Sequence, residues 1–132
     1  MANLGILKVA NREYSEAVVI LEDVIRESPD NSEYYNYLGV AYQEKGNLKK
    51  AGECYLQALS LDSSYAVIHS NLGSLNLKIY LQTRDEKYYH SALSYFESAI
   101  SYDPTLFAAQ NGKNAALRFH SQITGQKKNQ DN

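Results

Sequence analysis

The chain has 132 residues, 44% hydrophobic and 21% charged, with a net charge of −2 and a single cysteine, Cys54. That length suits one domain or a short repeat array, and the composition excludes a disordered chain. One cysteine excludes an internal disulfide framework and any multi-cysteine zinc site, and the near-neutral charge gives no general pull toward nucleic acid. No apolar run approaches the ~20 residues of a membrane span, and no basic-then-apolar leader opens the sequence, so a cytoplasmic protein without membrane insertion is expected. The aromatics are lopsided: twelve Tyr, three Phe and no Trp.

Taken in chain order, the pattern repeats. Leu4-Gly5, Leu38-Gly39 and Leu72-Gly73 lie 34 residues apart. A second series (Ala17, Ala51, Ala92; Leu21, Tyr55, Phe96; Val24, Ala58, Ala99) steps by 34 and then by 41. Pro29, Ser63 and Pro104 close the units. Each unit reads as two amphipathic helices. In the second, Tyr35, Leu38, Gly39 and Tyr42 fall on one face, Gly46-Asn47 breaks the run, and Ala51, Tyr55, Ala58 and Leu59 mark the second helix. Asn31-Ser32 and Asp103-Pro104 signal helix starts. The units span about 1–30, 31–64 and 65–105, the third enlarged by seven residues between Gly73 and Ala92. Two readings of that enlargement stand: a helix prolonged from Ala66 to Leu81 with a longer loop through Gln82-Thr83-Arg84-Asp85, or a projecting contact element. A last helix is expected at about 105–123, with residues 124–132 as a polar flexible tail. The fold class is all-α.

The order Leu-Gly, Tyr, Ala, Phe or Tyr, Ala, Pro in a 34-residue unit resembles the tetratricopeptide repeat. The second unit carries it on Leu38, Gly39, Tyr42, Ala51, Tyr55 and Ala58, with Ser63 for the proline. The third carries Leu72, Gly73, Ala92, Phe96, Ala99 and Pro104, with Asn76 where a tyrosine is usual. The first carries Leu4, Gly5, Ala17, Leu21 and Pro29, with Lys8 at the tyrosine position. The resemblance implies a right-handed superhelical array of antiparallel helix pairs (a solenoid) closed by a C-terminal capping helix.

It also implies a concave wall, built from the first helix of each pair, that binds an extended peptide or a partner helix. On that wall the sequence places Asn3 and Ile6, then Asn36, Tyr37, Val40 and Gln43, then Ser70, Asn71, Ser74 and Leu77, and finally Asn111 and Arg118. Relatives that grip the C-terminal carboxylate of heat-shock chaperones use a clamp whose matching positions here include Ala2, Ile6, Tyr37, Val67 and Asn71. Only Asn71 fits. An asparagine before the Leu-Gly pair, able to grip a peptide backbone, is present at Asn3 and Asn71 and interrupted by Tyr37.

No catalytic constellation emerges. His69, His90 and His120 lie in different expected helices without ligand spacing. Cys54 has no activating neighbours, and the seven glycines form no phosphate loop. The expectation is a non-enzymatic scaffold or adaptor with a protein or peptide partner and no cofactor or metal. The alternative is a self-assembling module, a homo-oligomer closed over the first helix through Ile6, Val9 and Val18–Ile20. A secretion-type chaperone is a third reading.

Overall fold

The 34-residue period resolves into helix pairs in the computed structural model, which describes residues 1–130. The helices are α1 (Ala2–Ala10), α2 (Tyr14–Glu27), α3 (Ser32–Glu44), α4 (Leu48–Leu61), α5 (Ala66–Thr83), α6 (Glu86–Tyr102) and α7 (Phe107–Gln130). Among the described residues there is no strand. The pairs α1–α2, α3–α4 and α5–α6 are antiparallel, and each stacks on the next through α2 on α3, α4 on α5 and α6 on α7.

Local chemistry sets the boundaries. Asn31 caps α3, its side-chain oxygen accepting from the Glu33 and Tyr34 N–H at 2.9 and 3.3 Å. Asn47 and Asp85 cap α4 and α6 in the same way. Between repeats, Asp62 accepts from the Ser64 N–H and hydroxyl, and Asp103 from those of Thr105. The turns inside the three pairs each contain a left-handed residue: Arg12 (φ 63), Gly46 (φ 87) and Arg84 (φ 60). Only the middle one is a glycine, the residue that adopts this conformation without a Cβ penalty.

Burial follows the register. Ala17, Ala51 and Ala92 are fully buried, and Leu21, Tyr55 and Phe96 are 0%, 1% and 2% exposed. The small residue admits the neighbouring helix and the large one fills the gap. A Cβ on Gly39 would stand 2.6 Å from the Tyr55 ring, and one on Gly73 would stand 2.7 Å from that of Phe96. Burying each of these rings contributes roughly 1.5–3 kcal/mol.

The enlargement is helical on both arms. Relative to the preceding pair, α5 is five residues longer than α3 and α6 three longer than α4, while the turn between them is one residue shorter. The longer loop expected at Gln82–Asp85 is therefore absent; Gln82 and Thr83 belong to α5. The prolonged hairpin has its own core of Tyr80, Tyr89, Ala92, Phe96 and Ala116, flanked by Leu77, Leu81 and Ile123. Against it lies α7, which starts at Phe107 and runs to Gln130, seven residues beyond the expected end at Ile123. The segment expected as a tail is thus helical over 124–130; Asp131 and Asn132 lie outside the described residues. Gly125 does not stop the helix, since His120 on its preceding turn is anchored to the hairpin through Glu86 at 2.9 Å.

Candidate functional site

The first helices α1, α3, α5 and α7 are consecutive neighbours, each touching the next, and form one wall. Along it, Asn3, Ser74, Asn111 and Arg118 are exposed, and Ile6, Tyr37, Val40, Asn71 and Leu77 are half-buried. Three residues expected on its open surface lie inside the array. Asn36, Gln43 and Ser70 are 3%, 8% and 5% exposed.

Two of these are tied to the packing. Asn71 donates from Nδ2 to Asn36 Oδ1 at 2.7 Å, linking α5 to α3. Gln43 accepts from the Tyr55 hydroxyl at 2.9 Å and reaches the Ser74 hydroxyl at 3.5 Å. Polar groups this deep cost free energy unless bonded, and here each joins neighbouring helices. The register carried the signal: Asn36 and Ser70 lie 34 residues apart on the side that meets the next first helix.

The exposed or half-open part of the wall is therefore narrower than the sequence suggests. Its central part presents Tyr37 and Val40 on α3, and Asn71, Ser74 and Leu77 on α5, flanked by Asn3 and Ile6 on α1 and Asn111 and Arg118 on α7. Half-buried Tyr65, at the start of α5, stands near Glu33 and Tyr37 of α3. Burial raises the Tyr65 phenol above its ordinary value, and Glu33 and Tyr37 reinforce the shift. Glu33 and Arg118 supply isolated charges of opposite sign, so no strong field favours an anionic ligand.

The chemistry away from the wall is structural. Among the described residues no three His, Cys, Asp or Glu side chains gather as a metal set. Burial pushes the half-buried Cys54 thiol up to about 12, the opposite of activation. His69 is 8% exposed; its Nε2 lies 2.8 Å from the Ser63 carbonyl and its ring stacks on Tyr102. Lys8 sits between Glu13 and Glu16, whose hydrogen bonds raise its ammonium and lower Glu16. No helix among the described residues is long and apolar enough to cross a membrane.

At the first pair the open apolar surface matches the expected seam only in part. Of that seam Val19 is exposed, Ile6, Val9 and Ile20 are half-buried and Val18 is buried, whereas Met1, Leu4 and Leu7, outside it, are exposed.

A family model described as "TPR repeat" matches residues 42–79, and one described as "Tetratricopeptide repeat" matches residues 20–53. Among solved structures, the chain is similar to the Sgt2 TPR domain from Aspergillus fumigatus, at 22% identity over 92% of this chain and 78% of that one, with a TM-score of 0.80. It is also similar to the first TPR of Spaghetti (RPAP3) bound to the HSP90 peptide SRMEEVD, at 19% identity, 90% and 89% coverage and a TM-score of 0.76. A third similar structure is PcrH in complex with the chaperone binding region of PopD, at 18% identity, 95% and 89% coverage and a TM-score of 0.70. At these identities the likeness concerns the fold.

Proposed function

This chain is a tetratricopeptide-repeat protein, and on that footing we propose that it is a non-catalytic cytoplasmic adaptor holding an extended peptide or partner helix on the wall of α1, α3, α5 and α7. The observation that carries the reading is the Asn36–Asn71 bond. It ties half-buried Asn71 to α3, on the wall that also carries half-buried Tyr37 and exposed Ser74, and the amide keeps further polar capacity that suits a ligand backbone. Val40 and Leu77 supply apolar contact on either side.

The similar TPR structure bound to the HSP90 peptide SRMEEVD supports the use of such a domain for peptides. Ala2, Ile6, Tyr37 and Val67 bring no cation to the clamp positions, which favours a neutral or apolar segment over a carboxylate-terminated one. A random-peptide display selection against the whole chain tests this. Enriched peptides should bind Val40→Glu/Ser74→Arg at least about tenfold more weakly, as expected for central wall contacts. Undiminished binding to a variant with a native helical spectrum would overturn the assignment.

A second reading, self-assembly over α1, is favoured by one comparison within the chain. Leu4 is 43% exposed where Leu38 and Leu72 are 6% and 2%, and Leu7 is 53% exposed where Ala41 and Leu75 are 0% and 3%. In the inner repeats these positions face a preceding helix pair, so α1 offers a stacking face that a second copy could cover. Light scattering across concentration distinguishes the readings: a strict monomer up to ~100 μM removes this one.

A further inference from the structure

Two side chains are missing from one place in the third repeat. In the second repeat, Tyr42 of α3 reaches α2 and α4: its hydroxyl donates to Glu22, and Lys50 Nζ stands 5.2 Å from its ring centroid. The ring is 8% exposed and belongs to the same core cluster as Val18. One repeat later the tyrosine position holds Asn76, whose amide turns back onto its own helix and donates to the Leu72 carbonyl at 2.8 Å. The position of Val18 holds Gly52.

A cleft of about 340 Å³ lies there, between α4, α5 and α6. Its walls include Leu56 and Ser91, which stand in register with Glu22 and Lys50, the two groups that hold Tyr42. The lining also includes buried Leu72 and Leu75 and half-buried Ile79. The cleft is on the side of α5 opposite Ser74 and Leu77, so it is separate from the proposed peptide wall.

We propose that this cleft is a seat for a phenylalanine side chain carried by a partner protein, occupying the place that Tyr42 fills from within the chain one repeat earlier. The internal precedent sets the occupant's shape, a flat six-membered ring entering between two second helices. The register sets its chemistry. Leu56 replaces Glu22, the acceptor for the Tyr42 hydroxyl, so the mouth of the cleft offers an apolar contact to the edge of an entering ring. Leu56 is 52% exposed at the rim, and a seated ring would cover it. A pocket with apolar walls and a few polar groups is the usual form of an anchor site.

The test uses the whole chain and N-acetyl-L-phenylalanine amide as the probe, with N-acetyl-L-alanine amide as control, read by methyl NMR. Saturable shifts at the Leu56, Leu75 and Ile79 methyls are expected with the phenylalanine probe alone, with a midpoint on the order of millimolar, as for a single small anchor. Asn76→Tyr, which fills the seat from within, should weaken binding at least about tenfold. Gly52→Val should act in the same direction, since a Cβ there meets only Leu75 Cδ2, at 3.4 Å; it decides the matter if Asn76→Tyr does not fold. The proposal is overturned by an absence of saturable shifts, by equal shifts with the alanine probe, or by unchanged binding in a folded variant.

Discussion

Tyr89 lies face to face on His120, with ring centroids 3.8 Å apart and planes 6° from parallel. Tyr89 stands where α4 has its first residue, Leu48, but Tyr80 and Glu86, which also meet His120, lie in the added parts of α5 and α6, so the enlarged hairpin and the long α7 are a single structural feature. His120 Nε2 also bonds the Glu86 carboxylate at 2.9 Å, and Tyr80 packs beneath both rings. The additional turns of the third pair thus give α7 a platform that a standard repeat would not offer.

His120→Ala should therefore loosen the second half of α7 more than it lowers global stability. The loss of stacking and of the Glu86 bond is expected to cost about 1–2 kcal/mol. Amide exchange should accelerate at residues 117–126 and stay near native in α3 and α4. Uniform acceleration across the chain would contradict a separate core at the hairpin.

The fold was legible because register and burial coincide. Ala17, Ala51, Ala92, Leu21, Tyr55 and Phe96 were read from spacing and are all interior. The length of α7 was not legible, because Lys113, Asn114, Gln122 and Gly125 give a polar, weakly patterned helix whose support comes from a distant hairpin. The wall was legible by position and not by exposure. Asn36 and Gln43 look like surface residues on their own helix, and only their bonds to Asn71 and Tyr55 place them inside.

The two deeply buried tyrosines should answer oppositely to loss of their hydroxyls. Tyr55 donates to Gln43 at 2.9 Å, so Tyr55→Phe leaves a buried acceptor without its partner and should cost about 1–3 kcal/mol. The Tyr80 hydroxyl has no hydrogen-bond partner among the described residues. Tyr80→Phe should be neutral or stabilising by up to about 1 kcal/mol, because an unsatisfied buried group is removed. Thermal melts of the two variants check the sign, and a large loss in Tyr80→Phe would mean that the hydroxyl is bonded, for example through a buried water.

Glycine replacements sort by the space available. A Cβ at Gly112 would meet the Phe96 ring at 2.3 Å, whereas one at Gly125 meets nothing within 4 Å. Gly112→Ala should then force α7 away from α6 and cost about 1–3 kcal/mol by overpacking. Gly125→Ala, in the same helix, should stabilise it by about 0.5–1 kcal/mol through lower backbone entropy in the unfolded chain. Denaturant midpoints for the pair report both effects, and the same sign for both would refute the packing argument.

The tyrosine excess also sets the response to alkali. Burial first, and then the Glu22 hydrogen bond, push the Tyr42 phenol from 10.0 up to about 12. Burial likewise pushes Cys54 from 9.0 up to about 12 and raises Tyr55, Tyr65, Tyr80 and Tyr89. These acids hold their protons more tightly folded than unfolded. Their contribution is complete below the unfolded values and is lost as pH climbs through the interval to the folded ones. Stability should hold to about pH 9 and then fall, each additionally retained proton contributing a slope of about 1.4 kcal/mol per pH unit. Melts followed by circular dichroism, with tyrosinate absorbance on the same samples, test this directly. Part of the tyrosinate signal should appear only as helix is lost. If all twelve tyrosines ionise while the helical spectrum is still native, the phenols are not held by the packing described here.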